Sequence, residues 1–311
     1  LVTHKSYNIG LFFTTLHAGT TAWFFQDVVR GISRTLKDDY QLSVKGIDEL
    51  RDDRLLSRLN YDGIIVMSQS PEDDRFIRRV VERQIPLVVL NRAVKDKCIL
   101  NIVPDDYRGA YEAVRHLIGC GHRRIGIIEG KAGFHSSELR AAGYRDAMRE
   151  AGLTPQEALR AIGNYDMKGG YEAMAALIDR ARPTAVFCCN DDMAVGALKA
   201  AVDRGLRVPQ DVSLIGFDDN AFASYVSPAL TTVRRPIEEM SRIGPGRLLA
   251  MLDRPAAAQA AGADAAQAVG QGRHAAQVAG SDTGRNPDAA LESVLIETQL
   301  VFRDSVSKLQ S

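Results

Sequence analysis

Polar side chains gather at the ends of one apolar run after another. They stand at Thr14-Thr15, Ser68-Gln69-Ser70, Asn91-Arg92, Asn190-Asp191-Asp192 and Asp218-Asp219-Asn220. The adjacent acids Asp191-Asp192 and Asp218-Asp219 raise two chemistries, acid–base catalysis and metal binding. Neighbouring side chains point in different directions, however, so each pair offers about one inward carboxylate. With no third ligand or base in reach, hydrogen bonding to ligand hydroxyls ranks above catalysis. The six histidines are scattered. His116 and His122 read as packing or capping residues. His17 and His135 fall in loops and read first as solvated, with a hydrogen bond to a ligand as their second use. There is no G-x-S-x-G elbow, no phosphate-binding G-x-x-x-x-G-K-[ST], no G-x-G-x-x-G after the first apolar run, and no H-E-x-x-H. The polar run ends therefore describe a polar cleft rather than a catalytic motif.

Something must carry those ends to one place. Apolar runs at 8–13, 41–45, 63–67, 87–90, 124–128, 185–189 and 213–217 have the near-continuous hydrophobic character of strands buried on both faces of a parallel sheet. Between them, 24–38, 72–83, 107–119, 138–151, 168–180 and 193–204 place apolar residues at helical spacing. Gly121 and Gly152 follow two of these helices as C-terminal caps. The alternation predicts a doubly wound α/β fold with right-handed crossovers. Such a fold takes its ligands outside the carboxyl ends of its strands, where the polar residues stand.

Composition limits the partners. The 311 residues carry 39 Lys+Arg against 39 Asp+Glu, and this balance argues against a chain that itself binds nucleic acid or an acidic membrane surface. No run of about 18 apolar residues offers a membrane span. The first residues lack a basic stretch followed by an apolar one, so no secretory signal is expected in this sequence. Cys98, Cys120, Cys188 and Cys189 show no metal-ligand spacing and read as free thiols of a reducing compartment, hence the cytoplasm. Residues 256–290 are rich in Ala, Gly and Gln and hold no Leu, Ile or aromatic residue. That segment cannot build a core and is expected to be a flexible surface insertion.

Several stretches, taken in order, resemble the effector-binding core of LacI/GalR-type transcriptional repressors. They are Val103-Pro104-Asp105-Asp106-Tyr107-Arg108-Gly109-Ala110 with His116-Leu117 and Gly121-His122-Arg123-Arg124-Ile125, then Glu138-Leu139-Arg140-Ala141-Ala142-Gly143-Tyr144. Phe187 to Gly196, Leu214 to Asp219, Pro228 to Val233 and Leu300 to Ser305 complete the series. The resemblance covers about 6–254 and 292–306. It implies a fold of the type I periplasmic-binding-protein kind, with two doubly wound parallel-sheet subdomains joined by three crossovers. The expected division is 6–103 plus 232–255 for one subdomain and 104–231 plus 291–311 for the other.

The same resemblance assigns site residues. Asp218 corresponds to the acid that accepts from effector hydroxyls or ring nitrogens; an Asx-turn after the strand is its plainer use. Arg140 matches the arginine that reaches the effector from a helix, against a surface salt bridge. Asn190 ends a strand where the family's asparagine binds, while Asp191 is expected to cap the next helix. Tyr165 aligns with an aromatic that stacks on the ligand, or else packs in the core. Asn91 corresponds to a polar contact from the first subdomain, with Arg92 beside it. Thr15 lies in the first loop, which is longer than the family's usual turn. Trp23, at the mouth of the cleft, either stacks on a sugar ring or wedges the two halves, and Thr20 or Thr21 caps the helix it opens. Gly244-Pro245-Gly246 predicts a kink or break in the helix of 237–252.

The reading that follows is a ligand-sensing domain of a DNA-binding regulator. It would take a small polar effector, a sugar or sugar derivative, as a homodimer. Operator DNA would be read through a helix-turn-helix that in the family precedes the segment seen here. No cofactor, metal or membrane is expected. A solute-binding protein of an ABC sugar transporter shares the fold and is the alternative. An enzyme such as a nucleoside hydrolase would need a nucleophile or metal cluster that the sequence does not offer.

Overall fold

A computed structural model describes residues 5–17, 19–36, 39–50, 52–96, 99–253 and 293–309. The expected insertion at 256–290 and Cys98 lie outside the described residues. The chain begins with β1 (Asn8–Phe13), α1 (Ala22–Leu36), β2 (Gln41–Gly46), β3 (Gly63–Met67), α2 (Asp74–Glu82), β4 (Leu87–Leu90) and β5 (Leu100–Pro104). It continues through α3 (Asp106–Gly119), β6 (Ile125–Glu129), α4 (His135–Glu150), β7 (Arg160–Ile162), α5 (Met167–Ala181), β8 (Ala185–Cys188), α6 (Asp191–Asp203) and β9 (Ser213–Ile215). Then follow β10 (Thr232–Arg234), α7 (Ile237–Leu252), β11 (Val294–Ile296) and β12 (Gln299–Val301).

Two parallel sheets result, as the apolar runs require. The first has the order β11-β5-β4-β3-β1-β2 and the second β7-β6-β8-β9. A short antiparallel pair, β10-β12, lies beside the second, and isolated parallel bridges tie Ile215 to Thr231 and Asp218 to Arg234. The chain changes sheet after β5, again before α7, and a third time between β11 and β12. Period-two alternation sorts the first sheet's side chains. Ile9, Leu11, Phe13, Ile65, Met67, Val88 and Leu90 face α1 and α7. Phe12, Ile64, Val66 and Val89 face Phe76, Ile77 and Val80 of α2. The second core gathers Ile125, Ile127, Phe187, Leu214, Ile215 and Phe217 with the inner faces of α3 to α6.

The C-terminal stretch differs from expectation. Val294–Ile296 does not join the second subdomain but adds to the edge of the first sheet, parallel to β5. Only from Gln299 onward does the chain lie on the second. The single strand expected over 295–302 is thus two strands, split where the chain crosses between sheets. The Gly244-Pro245-Gly246 segment likewise does not interrupt its helix, since α7 runs unbroken from Ile237 to Leu252. An interior proline costs a helix about 3 kcal/mol. Burial of Ile237, Met240 and Leu248 against the sheet is worth about 1.5–3 kcal/mol each and outweighs it. A Cβ on Gly244 would stand 2.8 Å from Leu90 Cδ2, so a larger residue there has to displace that side chain.

Helices α5 and α6 pack closely through small residues. A Cβ on Gly196 would lie 2.0 Å from the Met167 carbonyl oxygen and 2.7 Å from the Tyr171 nitrogen. Both are backbone atoms and cannot swing aside. Gly196→Ala is therefore expected to destabilise the fold by about 1–3 kcal/mol, read as a lower urea midpoint with an unchanged slope.

The described cysteines, Cys120, Cys188 and Cys189, are free, and the latter two are fully buried. His116 packs on Phe302 with ring centroids 4.8 Å apart. His122 bridges Thr184 Oγ1 and the Ser307 carbonyl, each at 3.1 Å. Both histidines pack as the sequence suggests.

Candidate functional site

The loops after successive strands meet at a small cavity between the two sheets. Gly19, Thr21 and Phe24 reach it from beyond β1, Gln69 from beyond β3 and Asn91 from beyond β4. Ser136 and Arg140 come from α4, Tyr165 from beyond β7, Asn190 from beyond β8, Asp218 from beyond β9 and Arg235 from beyond β10. Five of the expected site residues, Asn91, Arg140, Tyr165, Asn190 and Asp218, are thus brought together. Thr15, Trp23 and Arg92 are not among the lining residues.

Each exception has a local reason. Thr15 is spent on its own loop: Oγ1 accepts from the His17 N–H at 3.2 Å, and its carbonyl accepts from Thr20 Oγ1 at 2.8 Å. Arg92 follows Asn91 and so points the other way, where Nε donates to Ser68 Oγ at 2.8 Å and the guanidinium pairs with Asp74. Trp23 remains 40% exposed, with its ring centroid 5.8 Å from that of Phe222. Thr21, not Thr20, caps α1, accepting from the Phe24 N–H at 3.3 Å.

The centre of the cavity is a buried charge cluster. Arg140 Nη2 and Nε donate to Asp106 Oδ1 at 2.9 and 3.2 Å, and Nη1 donates to the Cys189 carbonyl. Its guanidinium lies 3.8 Å from the Phe217 ring centroid, and Nη2 stands 3.6 Å from Asp218 Oδ1. Arg235 faces the same acids: Nε is 3.2 Å from Asp106 Oδ1, Nη1 donates to Asp218 Oδ1 at 3.4 Å, and Nη2 donates to Asn91 Oδ1. Two arginines and two aspartates therefore balance in charge, the condition under which buried ions are tolerated. Burial disfavours the Arg140 cation, but Asp106, Tyr165 and Asp218 more than restore it, and its pKa lies above the ordinary value. Burial lifts the Asp218 carboxyl above its ordinary value, and the two arginines work against that rise.

Backbone strain supports the arrangement. Asn91, Tyr165 and Asp218 all have positive φ, at 74°, 68° and 113°. Residues held in such sparsely populated regions each cost about 1–3 kcal/mol and cluster at functional sites. Tyr165 packs against Gly130, where a Cβ would lie 2.0 Å from its ring, and its hydroxyl bonds Ser136 Oγ at 2.9 Å. Burial pushes that hydroxyl up to about 12, so it stays a neutral donor or acceptor.

The acids sort differently from the expected order. Asn190 itself caps α6, with Oδ1 accepting from the Met193 N–H at 2.9 Å while Nδ2 donates to the Tyr165 carbonyl at 3.1 Å. Asp191 is not the cap. It is fully buried and accepts from Thr232 Oγ1 at 2.5 Å and the Asn220 N–H at 2.7 Å, tying the loop after β9 to β10. Asp219 pairs with Arg234 and Arg303 at 2.7 and 2.6 Å. Asp192 is 9% exposed, and burial together with nearby Asp218 raises its carboxyl to about 7. The folded state therefore keeps a proton that the unfolded chain loses near pH 4, and Asp192 makes stability fall as pH rises from about 4 to about 7. Asp192→Asn is expected to be more stable than the parent at pH 8, with the difference shrinking toward pH 4. Urea unfolding at several pH values checks this.

Arg235, Gln69, Ser136, Phe24, Thr21 and Gly19 were not among the expected site residues. Gln69 was visible as a polar run end. Arg235 stands one residue beyond Thr232–Arg234, so recognition of that short strand would have exposed it by the same rule. Among the described residues no group of three or more His, Cys, Asp or Glu could hold a metal ion, and no helix is long and apolar enough to cross a membrane.

Two parallel α/β sheets joined by crossovers around a polar cleft define the class of periplasmic-binding-protein-like effector cores. The family described as "Periplasmic binding protein-like domain" matches residues 114–269. The chain is 46% identical over 256 residues to the "Probable HTH-type transcriptional repressor ExuR" of Bacillus subtilis, covering 82% of this chain and 77% of that protein. It is 34% identical over 250 residues to the "HTH-type transcriptional repressor PurR" of Klebsiella pneumoniae, covering 78% of this chain and 72% of that one. Among solved structures, the transcriptional repressor ascG of Escherichia coli superposes with a TM-score of 0.74 at 29% identity, over 96% of this chain and 99% of that one. A CelR–cellobiose complex superposes with 0.77 at 25% identity, over 96% and 84%. The chain belongs to the LacI/GalR family of transcriptional regulators. Its relatives are regulators of transcription, not enzymes.

Proposed function

We propose that this chain is the ligand-sensing part of a cytoplasmic, DNA-binding repressor. It takes a small polyhydroxylated effector, a sugar or sugar derivative, between its subdomains. The observation that carries this reading is the convergence of Gln69 and Asn91 from the first subdomain on Arg140, Asn190 and Asp218 from the second. Carboxylate, amide and guanidinium groups match the paired donors and acceptors of vicinal hydroxyls, and the rings of Phe24 and Tyr165 suit the C–H faces of a sugar. The CelR relative bound to cellobiose supports the same class of ligand.

The space between these groups is about 30 Å³, far below the roughly 300 Å³ of an ordinary ligand pocket. Entry therefore requires the subdomains to part, with effector hydroxyls replacing the contacts of Arg235 to Asn91 and Asp218. An effector that favours one spacing of the subdomains shifts their populations. In a homodimer this would move the faces carrying the DNA-binding heads and alter operator affinity. The relatives being transcriptional regulators disfavours the transporter alternative. Isothermal titration against pentoses, hexoses, uronic acids and nucleobases tests the reading. One sugar-class binder at one site per chain is expected; a folded protein that binds none of them overturns it.

A further inference from the structure

Trp23 and Phe222 face each other across the cleft from opposite subdomains. Trp23 is the only tryptophan and lies in the first turn of α1, one residue before the cavity-lining Phe24. Phe222 lies in the short turn Ala221–Ser224, four residues after the cavity-lining Asp218. The ring centroids are 5.8 Å apart with planes tilted by 57°, a geometry aromatic pairs favour. Trp23 is 40% exposed, so the pair sits on the solvent side of the lining residues, at the mouth.

Both rings rest on rigid supports. The Thr21 cap fixes the start of α1. On the other side, the Asn220 N–H is held by buried Asp191 at 2.7 Å, the Ala223 N–H by the Asn220 carbonyl at 2.8 Å, and Ser224 Oγ by the Ala221 carbonyl at 2.9 Å. Because each ring is fixed to its own subdomain, their contact reports the distance between the subdomains. A hydrogen bond also crosses the cleft beside them, from the His135 N–H to the Gln69 carbonyl at 2.9 Å.

We propose that Trp23 and Phe222 form an aromatic gate that closes over the cleft mouth, retains a ligand of one sugar ring and excludes a second ring that would project between them. The proposal rests on the sugar reading above and adds the determinant of ligand size. Trp23 serves here as a gate residue and not as a stacking platform, since its ring is engaged by Phe222 and its neighbour Phe24 lines the cavity.

The test uses the full chain with Phe222→Ala, Trp23→Phe and Trp23→Ala/Phe222→Ala, each checked for a thermal midpoint near the parent's. Without ligand, Phe222→Ala is expected to shift Trp23 emission and to raise its quenching by iodide. With a bound monosaccharide, Phe222→Ala should speed release by about 2- to 10-fold. Trp23→Phe should fall between it and the parent, and the double variant should release no faster than Phe222→Ala alone, because one contact is lost in either case. Cellobiose should gain affinity in the double variant relative to the monosaccharide. Unchanged Trp23 emission and quenching in Phe222→Ala, or release and size preference identical to the parent's, overturns the gate. If no sugar binds the parent, the sugar reading and the size role fall together, whereas the ligand-free fluorescence still decides whether the contact exists.

Discussion

Arg140→Met is expected to lower the stability of the fold by about 3–5 kcal/mol, the range for removing one partner of a buried ion pair. Arg140 and Asp106 are 2% and 1% exposed, so neither can recover its lost partner from water. In the variant, Asp106 loses two donated hydrogen bonds and the Cys189 carbonyl loses one. Arg235 Nε remains 3.2 Å from Asp106 and offsets part of the charge, but it has no hydrogen-bonding geometry there. The Phe217 ring also loses the guanidinium that covers it. A large fall in the urea midpoint is the readout. Asp106→Leu added to Arg140→Met should recover part of that fall, because two apolar side chains leave no uncompensated ion. A parent-like midpoint for Arg140→Met would show that the cluster is not a structural unit.

Asp218→Asn should act mainly on the ligand, weakening effector binding by about 10- to 100-fold while lowering the midpoint less than Arg140→Met does. Hydrogen bonds to charged groups contribute about 1.5–3 kcal/mol each, and the amide keeps the shape but loses the charge and one acceptor. Asp218 is the less buried acid of the cluster, with its side chain 15% exposed toward the cleft. Losing its charge leaves Asp106 to balance two arginines, a cost that relief of the burial penalty on the Asp218 carboxylate offsets in part. Titration of the effector found for the parent decides the matter. Equal affinity in Asp218→Asn would remove Asp218 from the binding role.

The contrast between these variants shows what can be read from linear order. β1, β3 and β4 were visible with the bounds they have, since an apolar run buried on both faces carries its own signature. β7 and β10 were not, because each has three residues, an exposed arginine and no apolar run to announce it. β5 is hidden for a different reason: Leu100–Pro104 has Asn101 and Pro104 among its five residues, both buried. Missing β10 hid Arg235. At α7 a local rule is overridden, as proline breaks helices in isolation but not where three large side chains are buried beside it.

At the site, the polar strand ends were legible, yet the sequence could not say which members of each end turn inward. Asn91 and Arg92 are neighbours, and one lines the cavity while the other is buried under it against Ser68 and Asp74. Asn190 and Asp191 exchanged their expected capping roles because Thr232 and Asn220 were available to Asp191. The period of the apolar residues and the punctuation by glycine and capping residues are properties of short segments. They determined, by themselves, a doubly wound fold with a polar cleft at its strand ends. The arginine–aspartate cluster, the meeting of Trp23 with Phe222 and the inward turn of Arg235 join residues 17 to 199 positions apart. Only the closed tertiary structure decided them, because buried charges and rings choose their partners by burial and distance rather than by order along the chain.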